Sequence, residues 1–348
     1  MIAIGADVHK RRCTLAMLGE DGQLRMLPSM ENTRENWLEL LTKLPPGAEI
    51  ALEVSTSGHF VMSVLEEAGW RERAHWVHTA GIDSLKKQKY DRLDTKRLAR
   101  KLSVAERDPL PEAWFPPAPI RELRLRARQR CWTAVGRAQC RNRLSSLLQM
   151  YGLQPAGSAF TGRGRAWLEK QKLPAAAREC VERTLRLHDF LEAERESSEA
   201  SLVTASASFA EIAQLKTIPG LGHILAAVIW SEIGDLGRFA SADALVNYTG
   251  LAPSLYESGE VSVHGGITRQ GPVWLRWALI TGANVVTRSK GPLARRYWRL
   301  RRRKPPNVAK TALACSMARC VYGVLKHGGA YQEARWGRKA GIEMKQEA

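Results

Sequence analysis

The chain of 348 residues is 44% hydrophobic and 25% charged, which excludes wholesale disorder and fibrous classes and leaves room for two domains with separate cores. Lys and Arg number 53 against 35 Asp and Glu, a formal net charge of +18, so the expected partner is a polyanion, nucleic acid first of all. There is no run of 18 apolar residues and no basic-then-apolar leader, and Cys13, Cys131, Cys140, Cys180, Cys315 and Cys320 lack both Cys-x-x-Cys and zinc spacing; a cytoplasmic protein is expected, with reduced, mostly core thiols and no membrane partner, disulfide or structural zinc.

Residues 2–8, 13–18 and 23–29 read as three strands of a meander, with a turn at Glu20-Asp21-Gly22. Asn32 or Thr33 can cap a helix running to about residue 44, residues 48–54 form a buried strand, and residues 59–68 form a helix closed by Gly69. A short strand over 74–77 and a helix over 91–105 complete the order β-β-β-α-β-α-β-α. That is the order of a ribonuclease H-like (RuvC-like) α/β domain, placed at residues 1–108.

Pro109, Pro111, Pro116, Pro117 and Pro119 punctuate residues 108–119, where neither a helix interior nor a sheet ladder can continue. A long helical pattern over 120–151 and another over 175–208 then suit an antiparallel, coiled-coil-like stalk, giving a connector-and-stalk segment at 109–209. The remainder, 210–348, reads as a mainly α C-terminal domain.

The first long helix carries Arg121, Arg124, Arg126, Arg128, Arg130, Arg137, Arg141 and Arg143 against Glu122 alone. Like charges at helical spacing repel by a few tenths of a kcal/mol per pair, and phosphates offset that cost. The same reading covers Arg295, Arg296, Arg299, Arg301, Arg302, Arg303 and Lys304. The nucleic-acid candidates are therefore Arg121, Arg124, Arg128, Arg137, Arg141, Arg295, Arg296, Arg299, Arg302 and Arg303, expected to meet backbone phosphates. Trp274, Trp277 and Trp298 lie among these basic residues and suit either base stacking or core packing.

Asp7 closes the first apolar strand, Glu53 lies near the end of the fourth, and Asp91 and Asp94 share the first turn of the helix after the fifth. In a ribonuclease H-like sheet the first and fourth strands are neighbours, so these carboxylates converge. Buried-strand acids are costly without a counter-ion, and an all-oxygen donor set selects Mg²⁺ or Mn²⁺. Taken singly, Asp91 suits a helix cap and Asp94 a helix-dipole partner. Lys86, Lys87, Lys89, Arg92, Lys96, Arg97 and Arg100 surround the helical pair.

The segments Ile4-Gly5-Ala6-Asp7-Val8-His9-Lys10, Glu53 in its strand, and Tyr90-Asp91-Arg92-Leu93-Asp94-Thr95-Lys96-Arg97-Leu98-Ala99 resemble the signature of the DEDD insertion-sequence transposases, the IS one-ten family. Ile218-Pro219-Gly220-Leu221-Gly222, Tyr248-Thr249-Gly250-Leu251-Ala252-Pro253, Glu257-Ser258-Gly259 and Gly266-Ile267-Thr268-Arg269-Gln270-Gly271 are similar to its C-terminal half, with Arg269 where lysine is common. The resemblance implies a recombinase with a composite active centre: Asp7, Glu53, Asp91 and Asp94 as metal ligands, and Ser258 as the nucleophile joined covalently to DNA. It also implies a structured guide (bridge) RNA pairing with donor and target DNA, and a dimer or tetramer acting on the prokaryotic nucleoid.

From the residues alone, Ser258 before a glycine in a polar loop is an ordinary turn serine, with Ser254 and Ser262 as substitutes and His264 as a solvated neighbour. The glycines of Ile218-Pro219-Gly220-Leu221-Gly222 suit either a phosphate-holding helix start or a plain turn. Rival functions are a RuvC-like metal-dependent nuclease (junction resolvase) using water, and a non-catalytic RNA- or DNA-binding scaffold. An actin-like ATPase is disfavoured because Val8-His9-Lys10-Arg11 replaces a small-residue phosphate loop.

Overall fold

A computed structural model describes residues 2–78, 91–258 and 261–333. The chain divides into two compact units, Met1–Pro116 and Pro117–Ala348.

The first unit is built on β1 (Ile2–Val8), β2 (Arg12–Leu18), β3 (Leu24–Met26), β4 (Met30–Glu31), β5 (Ala48–Glu53) and β6 (Ala74–Val77), with the order β3-β2-β1-β5-β6 and β4 paired to β2. β1 runs antiparallel to β2 and parallel to β5, with Ile2 opposite Ala48 and Ala6 opposite Leu52. Alternation sorts the side chains onto two faces. Ile4, Ala6, Ile50 and Leu52 pack against α1 (Arg34–Lys43) and α2 (Thr56–Glu67) through Trp37, Met62 and Leu65, whereas Ala3 and Ala51 face Leu98 and Leu102 of α3 (Asp91–Ser103). Thr33 and Ser55 cap the first two helices, their hydroxyls accepting from Asn36 N and Gly58 N. The strand expected at 23–29 is shorter, Leu24–Met26, with a further short strand beyond it at Met30–Glu31, and α2 starts at Thr56, earlier than expected, because Ser55 supplies the cap.

The proline-rich segment is not a free connector up to residue 116. His78 N donates to Pro111 O at 2.9 Å, Ala113 N donates to Trp76 O, Val77 bridges Glu112, and Phe115 is buried beside Trp76 and His59. An edge strand offers unpaired backbone groups, and prolines that cannot donate inward are tolerated there. The boundary therefore falls after Pro116 rather than after residue 108.

In the second unit α4 (Ala118–Met150) and α6 (Ala175–Ser206) run antiparallel, as expected, with α5 (Gly162–Glu169) between them. Arg130 Nη2 meets Glu199 at 2.5 Å, Arg137 meets Glu192, and Arg195 bridges Glu192 and Glu199 at 2.7 and 2.6 Å. The rest comprises α7 (Ala210–Leu215), α8 (His223–Ile233), α9 (Ala242–Tyr248), the hairpin β7 (Pro253–Ser258) and β8 (Val261–Ile267), α10 (Val273–Val286), α11 (Pro292–Arg301) and α12 (Pro306–His327). α12 is long and apolar enough to cross a membrane by length and composition, yet 61% of its apolar window is buried inside the protein. It is a core helix, carrying the buried Leu313, Met317 and Val321. Burial pushes the Cys13, Cys131 and Cys320 thiols up to about 12, so they are inert core thiols, whereas Cys180 is exposed.

α4 is also fastened to α8. Glu232 is 1% exposed and accepts from Arg128 Nε and Nη2 at 2.8 and 3.0 Å, while Arg124 donates to the Ser231 and Glu232 carbonyls at 2.8 and 3.2 Å. Burial pulls the Arg124 guanidinium below the ordinary arginine range, and the Glu232 charge opposes that shift. Arg128 is 45% exposed and is re-solvated in part when its buried partner is removed, so Glu232→Ala is expected to lose about 1–3 kcal/mol of stability. Urea unfolding followed by circular dichroism measures it; an unchanged midpoint would contradict the role assigned to this pair.

Candidate active site and nucleic-acid interface

Ala3, Gly5 and Asp7 share one face of β1, and Ala51 and Glu53 share the same face of β5, since Ala3 and Ala51 join one cluster with Leu98 and Leu102. The parallel register that pairs Ala6 with Leu52 puts Asp7 and Glu53 next to each other at the carboxyl ends of the two strands. Gly5 explains how α3 comes so close: a Cβ there would lie 2.7 Å from Ala99 N and 2.9 Å from Leu98 Cβ, and would overlap the Thr95 carbonyl oxygen. Along β1, Ala3 meets Leu98 and Leu102 and Gly5 meets Thr95 and Ala99, so α3 descends toward its N-terminus as β1 rises toward Asp7. Two strand residues advance about 6.8 Å, or four to five helical residues at about 1.5 Å each. That step brings the first turn of α3, with Asp91 and Asp94, to the Asp7 end.

Asp7 is largely buried, its side chain 16% exposed, and its Oδ2 lies 3.3 Å from His9 Nε2. Glu53 is exposed, contrary to the buried placement expected from its apolar strand, because it is the last residue of β5. Asp94 is half-buried and 3.5 Å from Arg97 Nη1. The structure describes Asp91 by its backbone, at the start of α3, and Lys86, Lys87 and Lys89 lie outside the described residues. His9 was not singled out in the sequence; its i, i+2 spacing from Asp7 was the available signal.

Among the described residues, no three His, Cys, Asp or Glu side chains are gathered closely enough to hold a metal ion. The donor set nevertheless fits a hard cation: Asp7 and Glu53 on adjacent strand ends, with the Asp94 turn beside them, offer only carboxylate oxygens.

Ser258 does not sit in an open loop. It is the last residue of β7, opposite Val261 of β8. Ser254 Oγ donates to Gly266 O at 2.9 Å, a hairpin-bracing role, and the side chains of Ser262 and His264 lie outside the described residues. The Ile218–Gly222 segment is the turn into α8, where Gly220 has φ +86° and a Cβ would lie 2.6 Å from Gly282 O on α10. Close helix packing therefore accounts for that glycine.

Residues 4–152 match the model of a DEDD transposase family, and residues 212–299 match that of the "Transposase IS116/IS110/IS902 family". The chain is 26% identical over 344 residues to a "Probable family 20 transposase" of Pseudomonas aeruginosa, covering 94% of this chain and 98% of that one. It is 28% identical to the "Transposase for insertion sequence element IS1328" of Yersinia enterocolitica over 57% of this chain and 60% of the relative. A "Pilin gene-inverting protein" of Moraxella bovis is 36% identical over 24% of this chain and 26% of its own.

The chain belongs to the IS110 family of insertion-sequence transposases. The transposase acts on DNA. Three of the expected phosphate contacts need correcting: Arg124 and Arg128 are engaged by the α8 end and Glu232, and Arg137 by Glu192. Their charge is answered by acids on other helices, which a count along α4 cannot register. Arg141 remains exposed on α4, and Arg121 is half-buried there. Arg296 is half-buried as well, with burial first and then Arg319 and Arg299 holding its guanidinium below the ordinary range. Trp274 and Trp277 form an edge-to-face pair at 6.2 Å, and Trp298 is 56% exposed.

Arg295, Arg299, Arg302 and Arg303 are all exposed, on α11 or just beyond it. Replacing Arg295, Arg299 and Arg302 of the transposase by Gln is expected to lower the slope of log affinity against log salt by about two to three units. Fluorescence anisotropy with duplex DNA between low and moderate salt measures this; an unchanged slope would return these residues to plain surface.

Proposed function

We propose that this transposase is an RNA-guided serine recombinase, exchanging DNA strands through a covalent Ser258–DNA linkage with help from its carboxylate cluster. The observation that carries the reading is the register setting Asp7 and Glu53 side by side at two parallel strand ends, under the helix that bears Asp91 and Asp94. The strand order β3-β2-β1-β5-β6, with β1 central, supports a ribonuclease H-like first domain. Residues 117–209 would then serve as the stalk and 210–348 as the domain presenting Ser258.

Asp7, Glu53, Asp91 and Asp94 would hold Mg²⁺ or Mn²⁺, which when bound neutralises charge on the phosphodiester being displaced. Ser258 Oγ attacks the phosphorus, an Oγ–P bond forms, and the P–O bond to the departing deoxyribose oxygen breaks. A carboxylate takes the hydroxyl proton, and the departing oxygen receives one. Reversal of these steps with a second DNA end regenerates the serine and joins the strands. His9, 3.3 Å from Asp7, would help to orient that carboxylate.

The exposed arginines of α11 and its C-terminal side support a structured guide RNA as well as DNA, since A-form helices are held chiefly through phosphates and 2′-hydroxyls. Strand exchange between a donor and a target requires at least two protomers, and a tetramer fits two pairs of ends. The cell's DNA places the working protein in the cytoplasm.

The test incubates protein, guide RNA, Mg²⁺ and DNA, denatures the mixture and maps any adduct by peptide mass spectrometry. A DNA-linked peptide containing Ser258 is expected. Cleaved DNA with no adduct would make the water-using nuclease the better account.

A further inference from the structure

In the second unit, α4 and α6 are held together by ion pairs of Arg130 and Arg137, and one face of the pair is apolar and open. Leu125, Trp132 and Met150 of α4 and Leu187 and Phe190 of α6 are each between 52% and 78% exposed. Positions 125, 132, 139, 143 and 150 fall along one line of a helix with 3.6 residues per turn, and so do 180, 187 and 194, with 183, 190 and 191 beside them. The two lines flank one groove of about 360 Å³, lined by Gly136, Gln139 and Cys140 on α4 and by Thr184, Leu187 and Leu191 on α6. Scattered apolar side chains are ordinary on a surface, whereas a cluster of large ones along one groove marks an interaction surface.

The order of residues along this face identifies its occupant. A two-fold axis lying in the face and perpendicular to the helices sets α4 against α4, and α6 against α6, of a second copy, each pair antiparallel. With the axis crossing α4 midway between residues 137 and 138, Leu125 meets Met150 of the second copy and Trp132 meets its Arg143, because each pair is equidistant from that point. Crossing α6 midway between residues 188 and 189, the same axis sets Leu187 on Phe190 and Arg183 on Glu194. The two crossings stand at one height. A Cβ on Gly136 would lie 3.1 Å from Leu191 Cδ1, which places them within about one residue, or ~1.5 Å, of each other. Apolar side chains then meet apolar ones, a guanidinium lies against an indole, the exposed Arg183 and Glu194 meet as opposite charges, and Gln139 falls opposite Gly136, where there is room for it.

We propose that this face docks a second copy of the chain, forming an isologous antiparallel four-helix arrangement of two stalks. Over residues 125–150 the face is about 38 Å long and about 20 Å wide, on the order of 800 Å² per partner, the size of a stable interface. A nucleic acid would set its phosphates against apolar side chains and Glu194, and a foreign protein gives no reason for a pattern complementary to itself. The inference rests on the reading that strand exchange joins at least two protomers, and it names the surface that joins them.

The test is sedimentation equilibrium of the full-length protein without nucleic acid, so its outcome is independent of the chemistry at Ser258. Wild type is expected to dimerise. Trp132→Glu/Leu187→Glu is expected to raise the dimer dissociation constant at least about 100-fold, as loss of two interface anchors does, with circular dichroism unchanged because both side chains are exposed. Glu194→Lys is expected to weaken the dimer about tenfold, and adding Arg183→Glu in the same chain to restore it, since the two-fold presents each reversed charge to the other. The contact of Arg183 with Glu179 within α6 is an exposed pair, too weak to prevent that exchange of partners. On a Cys180→Ser background, Gln139→Cys is expected to be joined between copies by a short bis-maleimide, because the two positions flank the axis. A wild type that stays monomeric or assembles only with DNA or RNA, glutamate variants that dimerise as tightly as wild type, or a dimer without the Gln139→Cys crosslink would each overturn the proposal. A dimer that gives no Ser258 adduct would uphold it and sink only the proposed chemistry.

Discussion

Ser258→Ala is expected to bind DNA and guide RNA with unchanged affinity, to form no covalent adduct and to exchange no strands. Ser258 ends β7 at the turn of a two-stranded hairpin, and a single hydroxyl removed at such a position changes stability by about 0.5 kcal/mol or less. The basic segments proposed to meet phosphates lie elsewhere on the chain. The chemical step, by contrast, loses the atom that forms the new bond. Removing a nucleophile typically costs about 10⁴-fold or more, which places residual recombination below detection. Ser258→Thr retains a hydroxyl and tests whether position matters beyond chemistry, since its extra methyl restricts the rotamer. Normal recombination by Ser258→Ala would end the serine reading outright.

Asp7→Ala is expected to lose strand exchange by at least about 10³-fold, as is typical when a group acting only in the transition state is removed, while the fold persists. Asp7 is a largely buried carboxylate beside a second one on the adjacent strand. Taking away one of two like charges relieves repulsion, so the melting temperature is expected to hold or rise. Mg²⁺ supplies an independent readout. A cation that binds only the folded state at about 100 times its Kd stabilises by about 2.7 kcal/mol, so titration should raise the melting temperature of the wild type and leave that of Asp7→Ala unmoved. A matching Mg²⁺ response in both would remove Asp7 from the ligand set, and an active Asp7→Ala would remove it from the chemistry.

The proposed carboxylate site rests on signals that are local. An apolar run ending in Asp7, another ending in Glu53, and a helix opening on Asp91 and Asp94 are each contained in about ten residues. The element order then implied which strands neighbour each other. The fate of the arginines was not legible, since Arg128 and Glu232 are 104 residues apart and nothing in either segment names the other. The proline-rich run misled for a related reason. Proline forbids an inner strand, yet residues 109–116 found the exposed side of β6, where a missing donor costs nothing.

The sequence by itself determined the family, the α/β then α-helical division, the antiparallel pairing of the two long helices, and which acids and which serine to examine, because periodicity, caps and motif spacing are properties of contiguous residues. Only the tertiary structure decided which charges are internal, where the first unit ends, and that Gly5 lets α3 lie against β1. Burial and ion pairing depend on what lies opposite in space, and a chain read in one dimension does not contain that information.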